Sequence, residues 1–144
     1  MSNQEKKIPM EITLRKAGLQ KTAQRLAVLG ILDQAETPLT ADDIFRRLRD
    51  EQKVNRTTVY RILSSYTRNG IILEFVSKKG THYYERMEPD ENPHPHFNCR
   101  HCGMMICLTG NPGSWEKLFD QSDLEVECIN ISGLCHLCKA NGEK

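Results

Sequence analysis

The sequence predicts an α+β protein in two parts: an N-terminal winged helix-turn-helix domain, then a small C-terminal α/β domain with a four-cysteine zinc site. Three observations lead there. Helical apolar periodicity runs to residue 69 and gives way at once to a hairpin pattern. All six cysteines lie in the second half, four of them as two C-x-x-C pairs. The charge is divided as well: residues 1–80 hold 15 Lys/Arg against 9 Asp/Glu, and residues 81–144 hold 5 against 10. The expected parts are a winged-helix domain over 1–86, a linker over 87–93 and a metal-binding domain over 94–144.

Residues 9–17 read as a short helix stopped by Gly18. Thr22 can cap a second helix carrying Leu26, Val28, Leu29 and Leu32. Thr40-Ala41-Asp42-Asp43 has the form of a capping box, with acids where the helix dipole favours them. Asn55 can cap a fourth helix that Asn69-Gly70 ends. On it Val59, Ile62, Leu63 and Tyr66 recur at i, i+3, i+4 and i+7, which makes one buried stripe. Thr57, Arg61 and Ser64 point the other way, with Tyr60 at the flank.

A strand near Ile71–Val76, a turn at Lys78-Lys79-Gly80 and a strand near His82–Glu85 complete the wing. Met87–Pro93 holds two prolines and three acids and reads as a linker. Strands are expected near His96–Asn98, Met105–Leu108 and Leu124–Ile131, with a helix near Ser114–Gln121.

A helix fits the major groove of B-DNA. Thr57, Tyr60, Arg61 and Ser64 give the fourth helix a small, hydroxylated, cationic face. Arg61 can pair with phosphate or guanine, and Tyr60 can pack on a thymine methyl. Lys78 and Lys79 can meet the sugar-phosphate backbone. Ordinary exposed residues on a small helical domain explain the same pattern.

Cys99-Arg100-His101-Cys102 and Cys135-His136-Leu137-Cys138 are separated by thirty-two residues. Zinc takes four tetrahedral ligands, and two such knuckles supply four thiolates. With no open position the site is structural and adds to folding free energy. Gly103 and Gly133 fit tight turns beside the knuckles. A second group is His94-Pro95-His96, with Glu85 before it and Cys107 after it. Alternate residues on an extended segment point the same way, so His94 and His96 can converge on one ion. A His/His/Glu/Cys set suits Zn²⁺ or Fe²⁺. Two exposed linker histidines and a buried thiol are the plainer reading.

These residues carry a resemblance. Gly18-Leu19-Gln20-Lys21-Thr22-Ala23-Gln24-Arg25 with Val28-Leu29 resembles the opening helix of the ferric uptake regulator family. Thr57-Thr58-Val59-Tyr60-Arg61-Ile62-Leu63 with Gly70-Ile71-Ile72 is similar to its recognition helix, and His94-x-His96-x-x-Cys99-x-x-Cys102-Gly103 looks like its metal-binding stretch. The resemblance covers residues 9–138. It implies a homodimeric, metal-dependent repressor of metal-homeostasis genes that binds double-stranded DNA. It implies DNA contacts at Tyr60 and Arg61 and an approach of Lys21 to the minor groove, while Arg56, bulkier and more charged than the family's usual residue there, is expected to tune operator choice. It also implies that Glu85, His94, His96 and Cys107 form a regulatory site between the domains, apart from the structural Zn²⁺. Metal there would set the angle that fits DNA.

The chain departs from the family's iron sensors in three places. The loop before the third helix reads Thr37-Pro38-Leu39, where they carry a histidine. Cys107 stands where they carry an acid, and Glu127-Cys128 where a histidine is frequent. A thiolate at Cys107 leans the site from iron towards zinc. His82, Met87, His101, Glu127 and Cys128 are lower-ranked ligands.

An enzyme is not expected. A zinc deaminase needs H-x-E and P-C-x-x-C, and the chain has neither. A thiol oxidoreductase needs a reactive C-x-x-C at a helix start in a βαβ context, which the pattern does not offer. A regulator on the same fold that answers peroxide or thiol oxidation through Cys107 or Cys128 remains the alternative. No apolar run reaches membrane-spanning length, and the polar Met1–Lys7 lacks a secretory core. A cytoplasmic protein is expected.

Overall fold

A computed structural model describes residues 8–51, 53–87, 94–108, 117, 120–126 and 128–144. The chain divides into two compact units, Met1–Val76 with Gly80–Glu91, and Ser77–Lys79 with Asn92–Lys144. The expected linker after Met87 and most of the helix expected near Ser114–Gln121 lie outside the described residues.

In the first unit the helices are α1 (Met10–Lys16), α2 (Ala23–Gln34), α3 (Ala41–Arg49) and α4 (Arg56–Arg68). They are followed by β1 (Ile72–Val76) and β2 (His82–Arg86). Three of these four helices start on a side-chain cap, and α1 follows Pro9 without one. Thr22 accepts from the Arg25 amide at 3.2 Å, and Asn55 accepts from the Thr58 amide at 2.8 Å. Thr40 and Asp43 close a reciprocal capping box. Burial works to raise the Asp43 carboxyl, but bonds from Thr40 and Arg46 outweigh it and hold the group below its usual 3.8. The cap is therefore intact at neutral pH and is lost only as pH falls below that value. Gly18 and Gly70 end α1 and α4 at φ of +70° and +67°, where a side chain would be strained.

The stripe on α4 is buried as its period requires. Val59, Ile62, Leu63 and Tyr66 pack with Leu14 of α1, Val28, Leu29 and Leu32 of α2, and Ile44 and Leu48 of α3. The Tyr66 hydroxyl is satisfied by the Arg25 carbonyl at 2.7 Å. β1 and β2 pair antiparallel from Ile72↔Arg86 to Val76↔His82. Leu39 adds a bridge to Tyr84, with both backbone bonds made at 3.0 and 2.7 Å. The segment before α3 is thereby tied to the hairpin, and the unit is a winged helix-turn-helix.

The second unit holds β3 (Pro95–Cys99), β4 (Met105–Cys107), β5 (Ile129–Gly133) and α5 (His136–Ala140). The sheet order is β4-β3-β5, with β3–β4 antiparallel and β3–β5 parallel. Two expectations are corrected here. The last strand begins at Ile129 rather than Leu124, because the ladder with β3 sets its register from Pro95↔Ile129. Leu124 is 65% exposed, and Asp123 before it takes a φ of 53°. Gly133 is not a turn glycine but the last residue of β5, where a Cβ would stand 3.2 Å from the Phe97 ring, a tight contact that a small residue avoids. Gly103, at φ +76°, does turn the chain.

Candidate metal centres and nucleic-acid face

The four cysteines of the two C-x-x-C pairs meet although they are far apart in sequence. Cys99 ends β3, Cys102 follows in the turn, and Cys135 and Cys138 lie at the start of α5. Both pairs fold the same way: Gly103 donates to the Cys99 carbonyl and Lys139 to the Cys135 carbonyl, each at 2.9 Å. The parallel ladder sets the knuckles side by side, with Cys99 opposite Gly133. The four Sγ atoms lie within 4.8 Å of one another. Cys99, Cys135 and Cys138 are buried and Cys102 is exposed, and none forms a disulfide.

The Cys102 and Cys135 sulfurs stand 3.8 Å apart. A disulfide would place them about 2.05 Å apart. A tetrahedron of sulfurs about 2.3 Å from zinc has edges of about 3.8 Å. The spacing thus fits ligands of one ion. Backbone N–H groups of Cys135 and Cys102 point at Cys99 and pull its thiol down to about 5. Burial, with the neighbouring sulfurs, pushes the Cys138 thiol up to about 12. Deprotonating four sulfurs this close would set like charges against one another, and a dication among them is the natural counter-charge.

Above the knuckle on β3, His96 is buried and pairs across the ladder with Cys107 of β4. Registered residues on neighbouring strands share a face, so the imidazole and the thiol project together. His94 joins them. Its Nε2 lies 2.9 Å from Cys107 Sγ, and its ring centroid is 4.7 Å from that of His96. The ligand atoms of His94, His96 and Cys107 are mutually within 4.8 Å. Two imidazoles and one thiol are a borderline donor set, suited to Zn²⁺ more than to hard cations. Glu85 is half-buried on β2 of the first unit.

Among the described residues, none of the lower-ranked candidates joins either cluster. His82 pairs with Glu74 at 2.7 Å, and His101 approaches Glu143 at 3.5 Å. Cys128 is exposed and receives the Asn130 amide at 3.9 Å. Met87 is 42% exposed, and Glu127 lies outside the described residues.

On α4, Arg56, Thr57, Tyr60, Arg61 and Ser64 are exposed, with Tyr60 at 54%. Arg68 is exposed too, and its spacing from Arg61 and Ser64 puts it on the same face. Arg68 is absent from the expected DNA-contact set, although the helical period alone includes it. Arg56 turns towards α3, where it pairs with Asp42 and lies over the Phe45 ring at 4.7 Å. Lys21 is exposed and pairs with Glu11 at 2.5 Å. Lys78 and Lys79 are exposed. No helix among the described residues is long and apolar enough to cross a membrane.

A winged helix joined to a domain with one thiolate cluster and one imidazole–thiol cluster defines the class: a metal-responsive regulator. Residues 16–112 match the model of the ferric uptake regulator family. The ferric uptake regulation protein of Neisseria gonorrhoeae is 28% identical over 138 residues, which are 91% of this chain and 94% of that one. Two solved structures share the fold. The Helicobacter pylori ferric uptake regulator Fur, described as having three functional metal-binding sites, superposes with a TM-score of 0.74 at 24% identity, over 90% of this chain and 88% of its own. The Pseudomonas aeruginosa regulator with manganese gives 0.71 at 24% identity, over 90% and 99%. The chain belongs to the ferric uptake regulator family.

Proposed function

We propose that the protein is a metal-dependent transcriptional repressor, not an enzyme, that controls metal-homeostasis genes as a cytoplasmic homodimer on double-stranded DNA. One observation carries the reading. A single chain joins an exposed cationic helix face on a winged helix to a buried cluster of His94, His96 and Cys107. In this reading residues 1–86 read DNA, 87–93 act as hinge, and 94–144 hold the metals and the second copy. Two-fold pairing follows from the two half-sites that helix-turn-helix readers address.

Cys99, Cys102, Cys135 and Cys138 hold a structural Zn²⁺. Glu85, His94, His96 and Cys107 hold the regulatory divalent metal, Zn²⁺ or Fe²⁺. The manganese in the Pseudomonas aeruginosa relative supports a divalent ion, and the thiol of Cys107 favours zinc. Lys21, Arg56, Thr57, Tyr60, Arg61 and Ser64 contact DNA. For Arg56 this requires exchanging Asp42 for phosphate.

Arg61→Ala is expected to lower operator affinity by about 1–3 kcal/mol without altering metal content. The probe is a duplex selected from a random pool by the zinc-loaded protein. Wild-type affinity of the variant in a gel shift would remove α4 from the interface. Cys107→Glu is expected to weaken Zn²⁺ binding and lower the ratio of Zn²⁺ to Fe²⁺ affinity, because a hard carboxylate replaces a soft thiolate. An unchanged ratio in competition titrations would take Cys107 out of the site. The same variant tests a second reading. The imidazole of His94 at 2.9 Å can draw the proton from the Cys107 thiol and prime it for peroxide. DNA release by peroxide that is present in wild type and lost in Cys107→Glu would favour that reading.

A further inference from the structure

Arg86, the last residue of β2, is buried deeply for a guanidinium: its side chain is 8% exposed, and that of its partner Asp33 is 17% exposed. The fork is nearly saturated. Nε donates to Asp33 Oδ1 at 2.8 Å, Nη2 to Thr13 Oγ1 at 3.0 Å, and Nη1 to the carbonyls of Ile71 and Met87 at 2.9 and 3.1 Å. One side chain thus holds α1 through Thr13, α2 through Asp33, the entry to β1 through Ile71 and the chain's exit from β2 through Met87. The Met87 amide adds its own bond to the Ile71 carbonyl at 3.0 Å.

Stability alone is a weak reason for this arrangement. A buried ion pair is seldom better than well-packed apolar residues of the same volume, because desolvation offsets the attraction. What a planar five-donor fork does well is fix relative positions. The place fixed is telling. Glu85 is the preceding residue, and strand alternation sends its side chain to the opposite face of the hairpin. A two-stranded hairpin end is marginal by itself and frays. Ligand binding there would be spent on local adjustment unless the end were tied to the helices.

We infer that Arg86, with Asp33 and Thr13, is the positioning residue that couples Glu85 and the chain exit at Met87 to α1 and α2, against which the DNA-reading α4 packs. The inference rests on Glu85 being a regulatory ligand, as proposed above. Arg86 itself touches neither metal nor DNA in this role. It keeps β2 and the helices moving as one body, so that the free energy of metal binding reaches α4.

The test uses the full chain and the duplex selected by the zinc-loaded protein. Its readout is the ratio of DNA dissociation constants without and with regulatory Zn²⁺. Arg86→Lys keeps the charge beside Asp33 and loses the fork. The ratio is expected to fall at least about fivefold, the low end of ordinary allosteric coupling. DNA affinity of the metal-free protein should stay within about twofold, since α4 is untouched. Thr13→Val removes the α1 arm alone with little change of shape. It should lower the ratio in the same direction, and it serves if Arg86→Lys does not fold. A wild-type ratio in Thr13→Val and in a folded Arg86→Lys, with only a lower Tm, would overturn the inference and leave Arg86 a structural bond. A wild-type protein whose DNA affinity ignores Zn²⁺ would overturn the proposed function first, and the coupling role with it.

Discussion

Cys99→Ser is expected to cost the protein its structural zinc and the folded state of its second unit. The described core of that unit is small: Cys99, Cys135 and Cys138 with Phe97, Met104 and Leu134 packed against them. A core of that size needs a staple. Binding at a structural zinc site contributes about 10–16 kcal/mol in zinc-finger peptides. Whole domains are stable by about 5–15 kcal/mol. The ion therefore decides whether such a unit folds. The serine hydroxyl is a poor zinc ligand at neutral pH, and the change also removes the sulfur that the Cys135 amide meets at 3.4 Å. Zinc content should fall by about one ion per chain. The second unit should show no cooperative unfolding transition, with the winged helix still melting cooperatively on its own core. Cys128→Ser, on an exposed thiol outside both clusters, should retain the zinc. A Cys99→Ser protein with wild-type zinc content and Tm would refute the structural site.

His96→Ala should do the reverse: keep the fold and lose the response. His96 is 1% exposed and stands opposite Cys107. Its ring is the innermost donor of the cluster, and alanine cannot replace an imidazole nitrogen. Allosteric couplings run to about 1–3 kcal/mol, or 5- to 150-fold in affinity. The metal-induced gain in DNA affinity should drop by that factor towards one, while metal-free affinity and structural zinc stay as they were. Retention of the full gain across a Zn²⁺ titration would move the sensing site elsewhere.

Much of this was legible in the sequence because it is local or periodic. The α4 stripe needed only the 3.6-residue period. The caps at Thr22, Thr40 and Asn55 needed only a side-chain oxygen three residues before an amide. The four clustered cysteines were visible because C-x-x-C is itself a local turn, repeated. What was not legible is long-range and polar. Arg86 finds Asp33 across 53 positions and Thr13 across 73, and no pattern in the chain announces such partners. Arg56 is expected to tune operator choice, yet Asp42 and Phe45 engage its guanidinium, partners that no local pattern announces. The start of β5 depends on a parallel pairing with β3, which alternation cannot register. The short α5 escaped notice because a sulfur caps it: Cys135 Sγ accepts from the Cys138 amide at 3.5 Å, outside the usual run of capping oxygens.

In the proposed function, metal at the imidazole–thiol cluster sets DNA affinity. The most direct test is a DNA-binding titration, with Zn²⁺, Fe²⁺ and Mn²⁺, of protein that keeps its structural zinc but is stripped of other metal. Ligands would be located by anomalous scattering at each metal's edge. A saturable rise in affinity of about 5-fold or more is expected, strongest with Zn²⁺, with anomalous density at His94, His96 and Cys107. Affinity that is flat across all three metals, or a rise with the ion bound away from those residues, would contradict it.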